Sequence, residues 1–125
     1  MPRLGAVRGF LWLLAATAAA HHSTASYDLI HGTIIGGVVA KFEWTNPHVE
    51  ISLDVAGEAK EIEHWSVELE SPGILGRLGW TKETIKPGDR ISITGGRAKD
   101  GSFRMRAASV QLPDGRKLAA LPAVE

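Results

Sequence analysis

No cysteine occurs anywhere in this 125-residue chain. That absence excludes a disulfide framework, a thiolate zinc site, a cysteine nucleophile and a lipid-modified cysteine anchor. An excess of charge is also missing, since 14 Lys+Arg stand against 14 Asp+Glu. A nucleic-acid binder needs a cationic stripe to displace counterions, so nucleic acid is not an expected partner. No apolar run is long enough to span a bilayer: the longest, starting at Phe10, is about 11 residues against the roughly 20 required. The chain also lacks a Gly-x-Ser-x-Gly elbow, a His-Glu-x-x-His helix and a phosphate loop. An enzyme is therefore not expected.

What is present begins with an export signal. Arg3 and Arg8 supply a positive n-region, an apolar stretch follows from Phe10 to Ala16, and Ala18-Ala19-Ala20 offers small residues for cleavage. Residues 1–20 read as a cleaved signal peptide, with a periplasmic or secreted address. Removal leaves 105 residues carrying 12 Lys+Arg against 14 Asp+Glu, a net charge near −2. One domain of that size buries a core without staples. The expected organisation is a lead-in segment at 21–31, a β-domain at 32–119 and a tail at 120–125.

Period-2 alternation marks strands at 33–44, 48–55, 61–69, 90–94, 104–112 and 116–118. Gly36-Gly37 suggests a bend in the first, and Gly95-Gly96 an end to the fourth. Ser71-Pro72 opens a short helix that closes at Gly79. Three strands, a helix, then two strands and a short sixth is the element order of an OB-like Greek-key barrel, an all-β fold of five to six strands. The competing architecture is a small open β-sandwich.

The stretch Trp44-Thr45-Asn46-Pro47-His48, preceded by a signal that runs into Ala-His-His-Ser, resembles a family of small exported bacterial proteins known only as a domain of unknown function. Glu68-x-x-Ser71-Pro72, Leu78-Gly79-Trp80, Lys86-Pro87-Gly88-Asp89 and Leu112-Pro113-Asp114-Gly115-Arg116 extend the resemblance over the mature chain. It implies export and a small β fold. It transfers no catalytic residue.

Two constellations carry chemistry. Cleavage after Ala20 exposes His21-His22-Ser23, whose α-amine and imidazoles suit Cu(II), the divalent ion at the top of the affinity order. The outer face of strands two and three is the second. A turn centred on residue 58 pairs His48 with Glu68, Glu50 with Ser66 and Ser52 with His64, and directly opposed side chains lie about 5 Å apart. His64 is then roughly 13 Å along the strand from the His48 level, too far to share one ion. The expected metal residues are His21, His22 and His48. Trp44, Asn46, Glu50, His64 and Glu68 are candidate ligand contacts. Glu50, Asp54, Glu68 and Glu70 face outward with no Lys or Arg among them on these two strands, which favours a small cation or basic peptide. Arg97, Lys99, Arg104 and Arg106 form a separate basic cluster around a hairpin. Two functions stay open: a monomeric protein binding a small cation such as Cu(II), and an adaptor holding an envelope protein or basic peptide on the strand 2–3 face.

Overall fold

The computed structural model describes residues 24–124. A 3-10 turn at Thr24–Ser26 leads into β1 (Tyr27–Glu43), followed by β2 (Glu50–Ala56), β3 (Ile62–Glu68), α1 (Pro72–Arg77), β4 (Arg90–Ala98), β5 (Arg104–Gln111) and β6 (Lys117–Ala119).

β1 is long because it serves two partners. Its first part pairs antiparallel with β4 from Tyr27↔Ala98 to Val38↔Arg90, and its last part pairs with β2 from Val38↔Asp54 to Glu43↔Glu50. Gly37 stands where the strand changes partners. A Cβ there would lie 2.2 Å from the Asp54 carbonyl oxygen, so only glycine lets the two backbones come that close. β2 and β3 form an antiparallel hairpin, and β4 pairs antiparallel with β5. The ring is then shut by a parallel pairing of β3 with β5, from Ser66↔Arg104 to Glu68↔Arg106. That closure gives the cyclic order β1-β2-β3-β5-β4 of an OB-like barrel and decides against the open sandwich. β6 extends the sheet beyond β5.

Alternation along β2 and β3 puts Ile51, Leu53, Trp65 and Val67 inside, where they meet Ile91, Ile93, Met105 and Val110. Each fully buried aliphatic of this kind contributes about 1.5–3 kcal/mol. Ser71 caps α1 by accepting a hydrogen bond from the Ile74 amide at 3.3 Å, and Pro72 fills the first helical position. Leu75 from this single turn and a half is fully buried in the same core. Trp80 donates its indole N–H to the Ala119 carbonyl at 2.8 Å, tying the segment after α1 to the end of β6.

Four expectations change. β1 starts at Tyr27 rather than residue 33, so residues 27–31 of the segment assigned to a lead-in belong to the sheet. Gly95-Gly96 does not end β4, which runs on to Ala98. A Cβ at Gly95 would lie 2.0 Å from the Arg106 carbonyl oxygen, so the glycines serve close packing of β4 on β5. Ala120 is fully buried and donates its amide to Ala108, so the barrel reaches into the expected tail. The β2–β3 register is also displaced by two residues. The Gly57 amide bonds to Glu61 and Lys60 adopts φ +65°, which centres the turn one residue later than expected. Glu50 therefore pairs with Glu68, Ser52 with Ser66 and Asp54 with His64. A shift of two preserves strand parity, so every side chain stays on the face expected of it.

Candidate functional site

Beyond the ends of β2 and β3 the ladder continues through Val49 and Leu69, whose backbones bond at 2.8 Å. This places the loop carrying Asn46-Pro47, joined by a cis peptide, beside the last residues of β3. Between them, at the seam with β5, lies a cleft of about 610 Å³ lined by Tyr27, Asn46, His48, Glu50, Glu68 and Arg104, with Thr45, Pro47 and Ser66 completing its wall. Four of the expected contact residues thus meet in one place: Asn46, His48, Glu50 and Glu68.

His48 is held at its back. Its Nδ1 lies 3.0 Å from the Leu69 carbonyl oxygen, which only accepts, so Nδ1 carries the hydrogen and donates. Its Nε2 then lies 3.5 Å from Glu68 Oε1. Glu68 Oε2 is buried and takes no hydrogen bond among the described residues. Glu50 accepts from the Ser66 hydroxyl. Tyr27 is almost fully buried, and Arg104 Nη2 donates to its phenol oxygen at 3.2 Å. Burial, and then the negative charge of Glu68, push the Tyr27 phenol above its usual value, while Arg104 acts in the opposite direction.

Beneath the cleft runs Arg106, expected from the sequence in a basic cluster around a hairpin. It is 4% exposed. Its Nη2 donates to Glu70 Oε1 at 2.6 Å and its Nη1 to the Leu69 carbonyl at 2.9 Å. The expected basic cluster is in fact dispersed. Arg97 stacks over Trp65 and Phe103, at 5.0 and 5.6 Å from the ring centroids, and donates to the carbonyls of Gly101 and Ser102. Arg104 enters the cleft, Arg106 is buried, and Lys99 stays exposed. The carboxylates of β2 and β3 therefore do not form a purely acidic face, because closure of the barrel delivers two guanidiniums from β5.

Two expected contacts lie elsewhere. Trp44 is half-buried, packs edge-on to Phe42 at 5.9 Å and joins the core. His64 stands opposite Asp54 near the β2–β3 turn, exposed, with Nδ1 2.7 Å from Asp54 Oδ1. His21 and His22 lie outside the described residues. Among the described residues no group of three or more His, Asp or Glu side chains is arranged to hold a metal ion. No helix among them is long and apolar enough to cross a membrane. Tyr27, Ser66, Arg104 and Arg106 are the site residues that sequence reasoning missed. A signal existed for Arg106: it sits between Met105 and Ala107, where the inward–outward parity of β5 breaks down.

Residues 10–106 match a family of unknown function, DUF6152. The chain belongs to that family. No curated protein matches this DUF6152 chain. Among solved structures, the DUF6152 barrel is similar to the mitochondrial single-stranded DNA binding protein Rim1 of S. cerevisiae, with a TM-score of 0.50 and 11% identity, over 66% of this chain and 92% of that one. At that identity the likeness concerns the fold, and it agrees with the OB-like order of strands in this DUF6152 member.

Proposed function

We propose that this protein is an exported, non-enzymatic barrel that binds a small cation, Cu(II) foremost, at the mouth of the cleft. One observation carries the reading: the His48 ring spends its Nδ1–H on a backbone carbonyl and leaves Nε2 3.5 Å from Glu68 Oε1. Fixing one ring nitrogen by a carbonyl so that the other is free is how proteins orient a ligating histidine. Two ligand atoms 3.5 Å apart also suit a shared ion about 2 Å from each.

Two donors do not hold copper tightly, and the remaining ones come from the mature N-terminus. The α-amine and imidazole of His21, with His22, add nitrogen ligands of the type Cu(II) prefers. Tyr27 lines the cleft, and His21 stands three residues before the 3-10 turn at Thr24–Ser26 that leads into it, so the reading requires the chain end to fold back to His48. What Rim1 binds is not carried over, because a likeness at 11% identity concerns the fold alone.

The test is a Cu(II) titration by calorimetry and EPR on protein beginning at His21, beside a control carrying one extra N-terminal residue. Tight binding with a nitrogen-rich EPR signal that disappears in the control is the expected result. Binding no better than that of an arbitrary histidine-bearing peptide would overturn the reading and leave the alternative, an adaptor for an envelope protein or basic peptide, whose binding would survive the extra residue.

A further inference from the structure

Two donors converge on one acceptor beneath the cleft. The Leu69 carbonyl oxygen lies 2.9 Å from Arg106 Nη1 and 3.0 Å from His48 Nδ1, while Nη1 and Nδ1 are 3.4 Å apart. A carbonyl oxygen has two lone pairs and accommodates both. Arg106 is fixed independently by its short bond to Glu70 at 2.6 Å and is only 4% exposed, so it has no freedom to leave.

We propose that Arg106 is the positioning residue of the cleft: by holding the Leu69 carbonyl in place it selects the Nδ1–H tautomer of His48 and so presents a bare Nε2 to the ligand. The inference rests on the functional reading above and deepens it by naming what prepares the histidine. The alternative tautomer would leave Nδ1 bare, accepting from Arg106 Nη1 at 3.4 Å, and would turn Nε2–H toward Glu68 Oε1 at 3.5 Å. Both contacts are longer than the 3.0 Å bond from Nδ1 to Leu69, and the Nη1 hydrogen is already directed at Leu69. The Arg106 guanidinium is permanently charged and has no acceptor. A second proton donor pointing at His48 from this side therefore leaves the carbonyl as the one acceptor that Nδ1–H can reach. Glu70 matters through Arg106, since its carboxylate anchors the far end of the fork. The backbone helps as well: Val49 bonds to Glu70 at 3.1 Å and Leu69 to Val49 at 2.8 Å, so the carbonyl is clamped from β2 and from β5 together.

The tautomer of a histidine is read directly by long-range proton–nitrogen correlation NMR on nitrogen-labelled protein. The measurement is made without metal at about pH 8, above the ordinary imidazole range. The native chain should show His48 as a single Nδ1–H species. In Arg106→Lys, whose single ammonium cannot reach Glu70 and Leu69 together, His48 should become a mixture with a substantial Nε2–H population. Glu70→Ala, at a more exposed position, should move the population the same way and serves if Arg106→Lys does not fold. His64 is the internal control, and its nitrogen shifts should not change. A native His48 in the Nε2–H form would overturn the proposal. So would a folded variant that keeps the native population. Failure of the copper titration would remove the functional reading and leave this tautomer result standing, so the two can fail separately.

Discussion

Glu68 and Arg106 are register partners across the parallel β3–β5 pairing, with Arg106 Nη1 3.9 Å from Glu68 Oε1 and Nη2 2.6 Å from Glu70. The charges that balance the acidic side chains of β2 and β3 thus arrive on the strand that shuts the barrel. Closure and charge compensation are one event: an open sheet would leave Glu68 and Glu70 without their cation and Arg106 without its anions. Ion pairs this deeply buried are costly to break from one side only.

Replacing Arg106 by Met should accordingly destabilise the fold by about 3–5 kcal/mol, because Glu70 and the Leu69 carbonyl lose their partner while staying desolvated. Urea unfolding measures it directly. A loss below about 1 kcal/mol, the range of a solvent-exposed pair, would mean that the site is wetter than its burial indicates.

Two glycine substitutions should act in opposite directions. A Cβ at Gly95 meets the Arg106 carbonyl oxygen at 2.0 Å, so Gly95→Ala must push β4 off β5 and should cost about 3 kcal/mol. Nothing lies within 4 Å of a Cβ at Gly76, inside α1, so Gly76→Ala should stabilise by about 0.5–1 kcal/mol. Thermal melts of the pair would show whether close strand packing or loss of turn freedom sets the role of each glycine.

Stability should decline at both ends of the pH scale, for different reasons. The amides of His31 and Arg116 hold the carboxyls of Asp28 and Asp114 below the usual 3.8, and the Lys86 ammonium and Ser102 hydroxyl do the same for Asp89 and Asp100. The folded chain then binds fewer protons than the unfolded one in acid. Their contribution is complete above pH 3.8 and is lost as pH falls through the lowered values. Tyr27 works the other way. Its raised phenol keeps a proton that the unfolded chain gives up above 10.0, so stability falls as pH rises past that point. Denaturant midpoints across pH should show a flat centre with two falling limbs. Asp89→Asn should flatten the acid limb and Tyr27→Phe the alkaline one, and unchanged limbs would assign them to other groups.

Cu(II) affinity should separate His48 from His64. His48→Ala should weaken binding by at least the roughly 10–100-fold that loss of an outer-shell partner alone costs a metal site. His64→Ala should leave affinity unchanged, since His64 is paired to Asp54 outside the cleft. Equal effects of the two would place the ion on His21 and His22 alone and not in the cleft.

Much of the fold could be read from short stretches. The alternation of Ile51, Leu53, Trp65 and Val67 and the Ser71-Pro72 helix start each depend on a few neighbouring residues, and each appears in the structure close to where the sequence puts it. Faces were legible for the same reason: parity survived a two-residue error in the β2–β3 register, so Asn46, His48, Glu50 and Glu68 were found together. The register itself was not legible, because it hung on the conformation of a turn in which Lys60 adopts φ +65° without a glycine to announce it.

Side-chain pattern along the chain therefore determined the strands, their inward faces, the helix cap and the group of polar residues around Trp44-Thr45-Asn46-Pro47-His48, since these follow from local geometry with periods of two and 3.6. The tertiary structure alone decided that β3 and β5 meet in parallel, that Arg106 is buried, and that Arg104 and Tyr27 wall the cleft. Those residues are brought together by closing a ring between segments some 38 positions apart, such as Ser66 and Arg104, and no local preference encodes a contact of that span.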